Sequence, residues 1–284
     1  MTGTDSDTAA ALADAAAAAA GVRIRELVEP AELGAVPVVF HGIWRPDPAD
    51  PPVTPTLLRA MAKAGNYVTG AYDGDRLVGA CVGFFGSPLS NELHSHVTGV
   101  AAAAAGRGVG FALKLHQRAW ALGRGVSTIT WTFDPLVRRN AFFNLVKLGA
   151  TAAEYLPNFY GGMHDDINGG DDSDRLLVRW DLRAAEVTAA CGGTPAASHA
   201  EAELARGAVV ALARSDHDLP VAGSLDGRTV LVATPRDVER LRPADPDRAR
   251  RWRTAVRDVL GTLMADGAKI AGFDRAGWYV VTRG

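Results

Sequence analysis

Three titratable side chains at alternate positions, Glu92, His94 and His96, precede a run of small residues that closes with Gly106-Arg107-Gly108-Val109-Gly110. Alternation places the three on one face of an extended strand. A histidine, or a carboxylate of raised pKa, exchanges protons near neutral pH, so this face suits a general base. The glycine run suits another task. Behind it lies FALKLHQRAWALGRG, an amphipathic helical pattern, and a glycine turn feeding a helix start gathers free N–H groups around one point. Glycine permits close backbone approach there, and the helix dipole favours negative charge. Together these residues predict a phosphate-bearing cofactor held beside proton-transfer chemistry.

Such residues need a sheet and helices to hold them. VRIREL, from Val22, alternates as a half-buried strand does. A helix follows from Pro30, with Pro37 expected to kink or end it early. Five prolines in RPDPADPPVTP make a loop, after which Thr54-Pro55 opens a helix closed by Gly65. NYVTGAYD and RLVGACVGFFG flank Asp73-Gly74-Asp75 as an antiparallel hairpin, and the histidine strand is the third in that series. The helix behind the glycine turn is then a crossover, so VSTITWTF should lie parallel to the histidine strand. PLVRRNAFFNLVKLGA reads as a helix closed by Gly149. A short strand around Ala152–Tyr155, a Gly/Asn/Asp loop and the strand RLLVRWDL complete this part.

From about Val22 to Leu182 the chain resembles a GNAT-superfamily acyl-CoA-dependent N-acyltransferase. The resemblance rests on the strand order, the Gly106–Gly110 turn before a helix, the next helix carrying Asn140, and the ending Lys147-Leu148-Gly149-Ala150. It is nearest to a bacterial subgroup in which a histidine strand leads into V-x-P-x-x-R-G-x-G-x-G, with Trp-Thr-Phe-Asp-Pro-Leu and Arg-Asn-Ala downstream; here these are Trp131–Leu136 and Arg139–Ala141. The resemblance implies an acetyl-CoA or other acyl-CoA donor, with the Gly106–Gly110 amides on its pyrophosphate and its pantetheine arm between splayed fourth and fifth strands. It implies that the Val100 amide, beside a bulge at Thr98-Gly99, polarises the thioester carbonyl. It places Asn140 on the pantetheine or pyrophosphate, and the base at His96 or His94 ahead of Glu92. Three positions depart from the pattern. Ala102 stands for its proline, Ala105 for its Arg or Gln, and Leu145 for the tyrosine that often protonates the leaving thiolate. Arg107 is then a substitute source of charge, and Tyr155 and Tyr160 are candidate acids. Arg138 and Arg139 would suit phosphate or a carboxylate.

The implied reaction is acetyl or succinyl transfer to a small amine or amino acid by direct attack; the competing reading is a degenerate acyl-CoA-binding module. The expected fold is α/β (α+β), a mixed, mostly antiparallel sheet flanked by helices, with a smaller C-terminal α+β lobe. Residues 1–20 are Ala-rich and expected as a disordered tail or frayed helix. Residues 21–185 form the main domain. A linker-like CGGTPAASHAEAE precedes the lobe at 200–284, where GAVVALA and TVLVAT are strands and AKIAGFD and GWYVVTR a hairpin. Asp245 to Gly267 is its main helix, with Ala249, Trp252, Val256, Val259 and Leu263 in one stripe.

Composition excludes other classes. A net charge of −2 over 284 residues leaves no electrostatic footprint for nucleic acid or a membrane surface. Cys81 and Cys191 lie too far apart in sequence for a C-x-x-C pair, which speaks against a cysteine metal site. The acidic loop Asp165, Asp166, Asp171, Asp172 and Asp174 lacks the calcium-loop spacing and is expected to be solvated. Asp5 and Asp7 stand where a secretory signal needs positive charge, so the expected location is cytoplasmic. A homodimer is compatible with the sequence.

Overall fold

The computed structural model describes residues 2–88, 90–161 and 171–284. Asp165 and Asp166 lie outside them. Two compact units divide the chain, Met1–Trp131 with Asp181–Ala184, and Thr132–Trp180 with Ala185–Gly284. The division falls inside a strand rather than at the linker-like stretch. Its physical reason is a buried charge network within the second unit, described below.

In the first unit, residues expected as a disordered tail or frayed helix form helix α1 (Thr2–Ala20). Alanine has the highest helix propensity, and Ala9 and Ala13, one turn apart, are buried together with Ala20. Strand β1 (Arg23–Glu26) leads to α2 (Pro30–Trp44), where Glu29 and Glu32 form a capping box. Of the kink or early end expected at Pro37, the early end does not occur: α2 runs on to Trp44. Helix α3 (Pro55–Lys63) starts as predicted, Thr54 Oγ1 accepting from the Leu57 amide at 3.2 Å. Strands β2 (Tyr67–Asp73), β3 (Arg76–Phe85) and β4 (Glu92–Val100) follow, then α4 (Val109–Gly123) and β5 (Thr128–Phe133). Neighbours β1 to β4 pair antiparallel, and β5 lies parallel to β4. The sheet is mixed and mostly antiparallel, as expected. Leu27, Leu33, Val36, Phe40, Leu58 and Val82 form a core on its α2–α3 face. Gly99 makes this packing possible, because a Cβ there would stand 2.7 Å from Trp44 and 2.8 Å from Ile43.

The second unit holds α5 (Arg138–Ala141), whose helix continues with wider π-type turns over Phe142–Lys147 and stops at Gly149. The antiparallel pair β6 (Thr151–Leu156) and β7 (Arg175–Asp181) follows. Short helices α6 (Ala185–Cys191) and α7 (Ala200–Ala205) flank the stretch read as linker. A five-stranded sheet is built from β8 (Val209–Arg214), β9 (Pro220–Ala222), β10 (Thr229–Ala233), β11 (Lys269–Asp274) and β12 (Trp278–Thr282), in the order β11-β12-β10-β8-β9. Helices α8 (Val238–Ala244), α9 (Pro246–Val256) and α10 (Thr262–Ala265) complete the unit. Asp245 caps α9 by accepting from the Arg248 amide at 3.0 Å, and Ala249, Trp252, Val256 and Leu263 are buried.

Beneath that apolar stripe lies the charge network. Asp134 accepts from Arg253 at 2.8 Å through both oxygens and pairs with Arg242 and, at 3.8 Å, with Arg175. Asp171 meets Arg253 at 3.1 Å, and Arg257 bridges Asp172 and Asp174. These aspartates belong to sequence before α6, whereas Arg242 and Arg253 lie in α8 and α9 and Arg257 directly follows α9, which explains why residues 132–180 cluster with the C-terminal lobe. Asp171, Asp172 and Asp174 are therefore ion-paired, where a solvated loop was expected.

Candidate active site

Strand β4 carries the predicted titratable residues. Its pairing with β5 runs from Glu92–Thr128 to His94–Thr130. Glu92 thus lies at the paired start of the strand. His94 is half-buried at the last register pair, its Nδ1 sharing a hydrogen bond of 3.2 Å with Thr130 Oγ1. That bond leaves Nε2 for an incoming group. Burial, then the nearby His96 and Lys114, hold His94 below its ordinary 6.5, so the imidazole is neutral near neutral pH. His96 is exposed, and its Nε2 donates to Pro52 O at 3.3 Å. Both rings contact Phe84, with centroids at 5.2 and 5.9 Å, so the two histidines share a face.

The register against β3 shifts between Val97 and Ser95, which makes His96 the extra residue of a β-bulge. The sequence reading put the bulge at Thr98-Gly99. Beyond it, the Ala101 amide bonds to Val78 O at 2.8 Å. Antiparallel pairs alternate, so Gly79–Val100 is a non-bonded pair, and the amides of Val100 and Thr98 turn to the β5 side. These are strand donors past the point where β5 pairs with β4.

A short 3₁₀ turn over Ala102–Ala104 follows, and then Gly106 and Gly108 take φ of 78° and 89°. An added Cβ would meet nothing within 4 Å at either glycine, so the requirement is conformational rather than steric. Gly108 caps α4, and the Ala112 amide makes the first helical bond, to Gly108 O at 3.0 Å. The amides of Val109 and Gly110 therefore lie in the opening turn, whose N–H groups face outward. The Arg107 guanidinium is engaged elsewhere. It bonds to Asp73 at 2.6 Å and to the Ala20 and Gly21 carbonyls at 3.1 and 3.2 Å, closing the end of α1.

The other predicted positions lie in the second unit. Asn140 is half-buried in α5, its amide bonded to Val137 O at 2.9 Å. Arg138 bonds to the Arg236 and Arg275 carbonyls, and Arg139 pairs with Glu239 at 2.5 Å. With Phe142 and Val238 they line a cavity of about 420 Å³. Tyr155 donates to Asp174 at 2.7 Å, and burial with that carboxylate raises it far above an ordinary phenol, so it is no proton donor at neutral pH. The Tyr160 hydroxyl shares a bond of 3.1 Å with Thr132.

Sequence reasoning passed over Lys114. It lies 3 % exposed on α4, with Nζ 3.1 Å from Ser95 Oγ, 2.8 Å from Gln117 Oε1 and 3.7 Å from the centre of the Trp131 ring. Nothing in the spacing of α4 marks Lys114 as buried, since its neighbours one turn on are Gln117 and Arg118.

No family model and no curated protein matches the chain. Solved structures do. A candidate acetyltransferase of the GNAT family from Desulfovibrio desulfuricans is 17% identical, over 57% of this chain and 99% of that one, with a TM-score of 0.47. The ribosomal-protein-S18-alanine N-acetyltransferase of Escherichia coli is 16% identical over 58% and 96%, with a TM-score of 0.44. A candidate acetyltransferase from Salmonella typhimurium, solved with acetyl-CoA, is 17% identical over 63% and 98%, with a TM-score of 0.47.

Proposed function

We propose that the protein is an acyl-CoA-dependent N-acyltransferase of the GNAT type. One observation carries the reading: β4 stops pairing with β5 at His94–Thr130, continues with the Thr98 and Val100 amides turned to the β5 side, and ends in a left-handed glycine turn at the start of α4. Strand donors in line with a helix-start anion cradle fit an acyl-CoA, whose pantetheine carries amides and whose pyrophosphate carries charge. The Gly106–Gly110 amides would hold the pyrophosphate and Val100 the thioester carbonyl. Bound acyl-CoA supplies the activated acyl group. His94 takes the proton of the attacking amine, being neutral and placed where the strands part; His96, on the same face, is the alternative base. Glu92, in the paired part of the strand, is the weakest of the three.

The acceptor class we favour is a small amine or amino acid, with acetyl or succinyl as the group transferred. Arg138 and Arg139 support the acidic variants less than their sequence suggests, because carbonyls and Glu239 already engage them. Calorimetry with CoA and acetyl-CoA tests binding, and absence of any sub-millimolar affinity would sink the reading. Thiol release across amines, amino acids and several acyl-CoAs then separates an enzyme from a binding module.

A further inference from the structure

We propose that Lys114, held between Ser95 of β4 and Trp131 of β5 where the two strands part, is the acid that protonates the departing CoA sulfur. The inference rests on the acyltransferase reading and supplies the group for which the usual tyrosine position, Leu145, has no proton.

Its ground is position. The last register pair is His94–Thr130, and the next residue on each strand is one that Lys114 touches. His94 and His96 share the Phe84 face of β4. Ser95, between them, points to the opposite face, where α4 delivers Lys114. A base on one face and an ammonium on the other thus flank the point where β4 leaves β5. The same helix joins the two ends of the cofactor track. Its first turn is the anion cradle, and Lys114 comes five residues after Val109, roughly 7 Å along the axis. Gly83 leaves the room this needs, since a Cβ there would stand 3.2 Å from Gln117 Nε2, beside the amide oxygen that holds the ammonium.

The chemistry balances. The amine nitrogen forms the new bond to the acyl carbon and gives its proton to His94. As the carbon–sulfur bond breaks, its electron pair goes to sulfur, which receives the Lys114 proton. Lys114 is left neutral and His94 protonated, and solvent exchange restores both. Burial brings the Lys114 ammonium down to about 8, close to a thiol at about 8.5, so the transfer is nearly level in energy. The ammonium is still the main form at pH 7, as a donor must be.

Two variants and three readouts test this. In the unloaded protein, NMR of isotopically labelled lysine should show one resonance titrating near pH 8 that Lys114→Met removes, the other lysines being Lys63, Lys147 and Lys269. Calorimetry should give CoA affinities for Lys114→Met and Lys114→Arg within about threefold of wild type. Turnover should fall at least a hundredfold in both, the size of a lost general acid, and the wild-type decline in kcat as pH rises through about 8 should vanish. Arg keeps charge and hydrogen bonds but does not release its proton in this range, so a merely structural lysine would tolerate it, and an unfolded Met variant leaves Arg to decide. Folded variants that bind CoA and keep turnover with an unaltered alkaline limb would overturn the proposal alone. A wild-type protein that binds no CoA would end the acyltransferase reading and this inference with it.

Discussion

At the scale of single residues, the chemistry turns on which groups are neutral and which are free to move a proton. His94 is buried enough to sit below 6.5 and still open at Nε2. A base must be unprotonated, so its contribution is present above its pKa and lost as pH falls through it. Turnover should therefore drop through a midpoint below pH 6.5, and His94→Gln should remove that limb along with about a hundredfold or more of kcat; a pH–rate profile of both proteins checks this. Unaltered turnover would move the role to His96. Tyr155 makes the opposite case. It was one of two candidate substitutes for the acid missing at Leu145, but its hydroxyl is committed to Asp174. No sequence signal distinguishes a phenol with a carboxylate beside it from one without.

At the scale of elements, the turn between β4 and α4 was legible, because glycine at spaced positions before an amphipathic run has few other uses. Gly106→Ala and Gly108→Ala should each cost about 1–2 kcal/mol, the price of a left-handed φ for a residue with a Cβ, and should weaken CoA binding by reorienting the amides. Urea melts and calorimetry measure the two effects. Arg107 was legible only as a charge. The fold ties it to Asp73 and to the end of α1, so Arg107→Ala should lower stability by about 1 kcal/mol while CoA affinity stays within a few-fold. A large loss of affinity with unchanged stability would return the side chain to the ligand. The burial of helix α1 was not legible, because an alanine face looks unburiable until a partner helix close enough to bury methyl groups is known.

At the scale of the whole molecule, each unit carries its own buried order, and the second depends on charge. Asp134 lies among Arg253, Arg242 and Arg175, and although burial alone would raise its pKa, those arginines hold its carboxyl far below the usual range. A depressed folded pKa gives stability that is present above the unfolded value, about 3.9, and lost as pH falls through the folded one. Acid unfolding of the second unit should begin near pH 4. Asp134→Asn should cost about 3–5 kcal/mol, because it leaves buried arginines without their carboxylate; urea melts at pH 7 and at about pH 3, below the unfolded value, would show the gap closing as pH falls. The same network explains why the chain divides within β5 and not at its Gly- and Ala-rich stretch. Ion pairs between residues a hundred positions apart leave no local mark in a sequence.

Local physics determined what the sequence shows by itself. Proline loops, capped helices, alternating strands and left-handed glycines follow from each residue's neighbours, and they place the parallel β4–β5 step, the glycine turn and the histidine face. Tertiary structure decided what depends on proximity. It set where β4 leaves β5, which residue is the bulge, whether Arg107 faces a ligand or a helix end, and that Lys114 lies between the two strands. A side chain's protonation state and partners come from burial and distant contacts, which spacing along the chain does not encode.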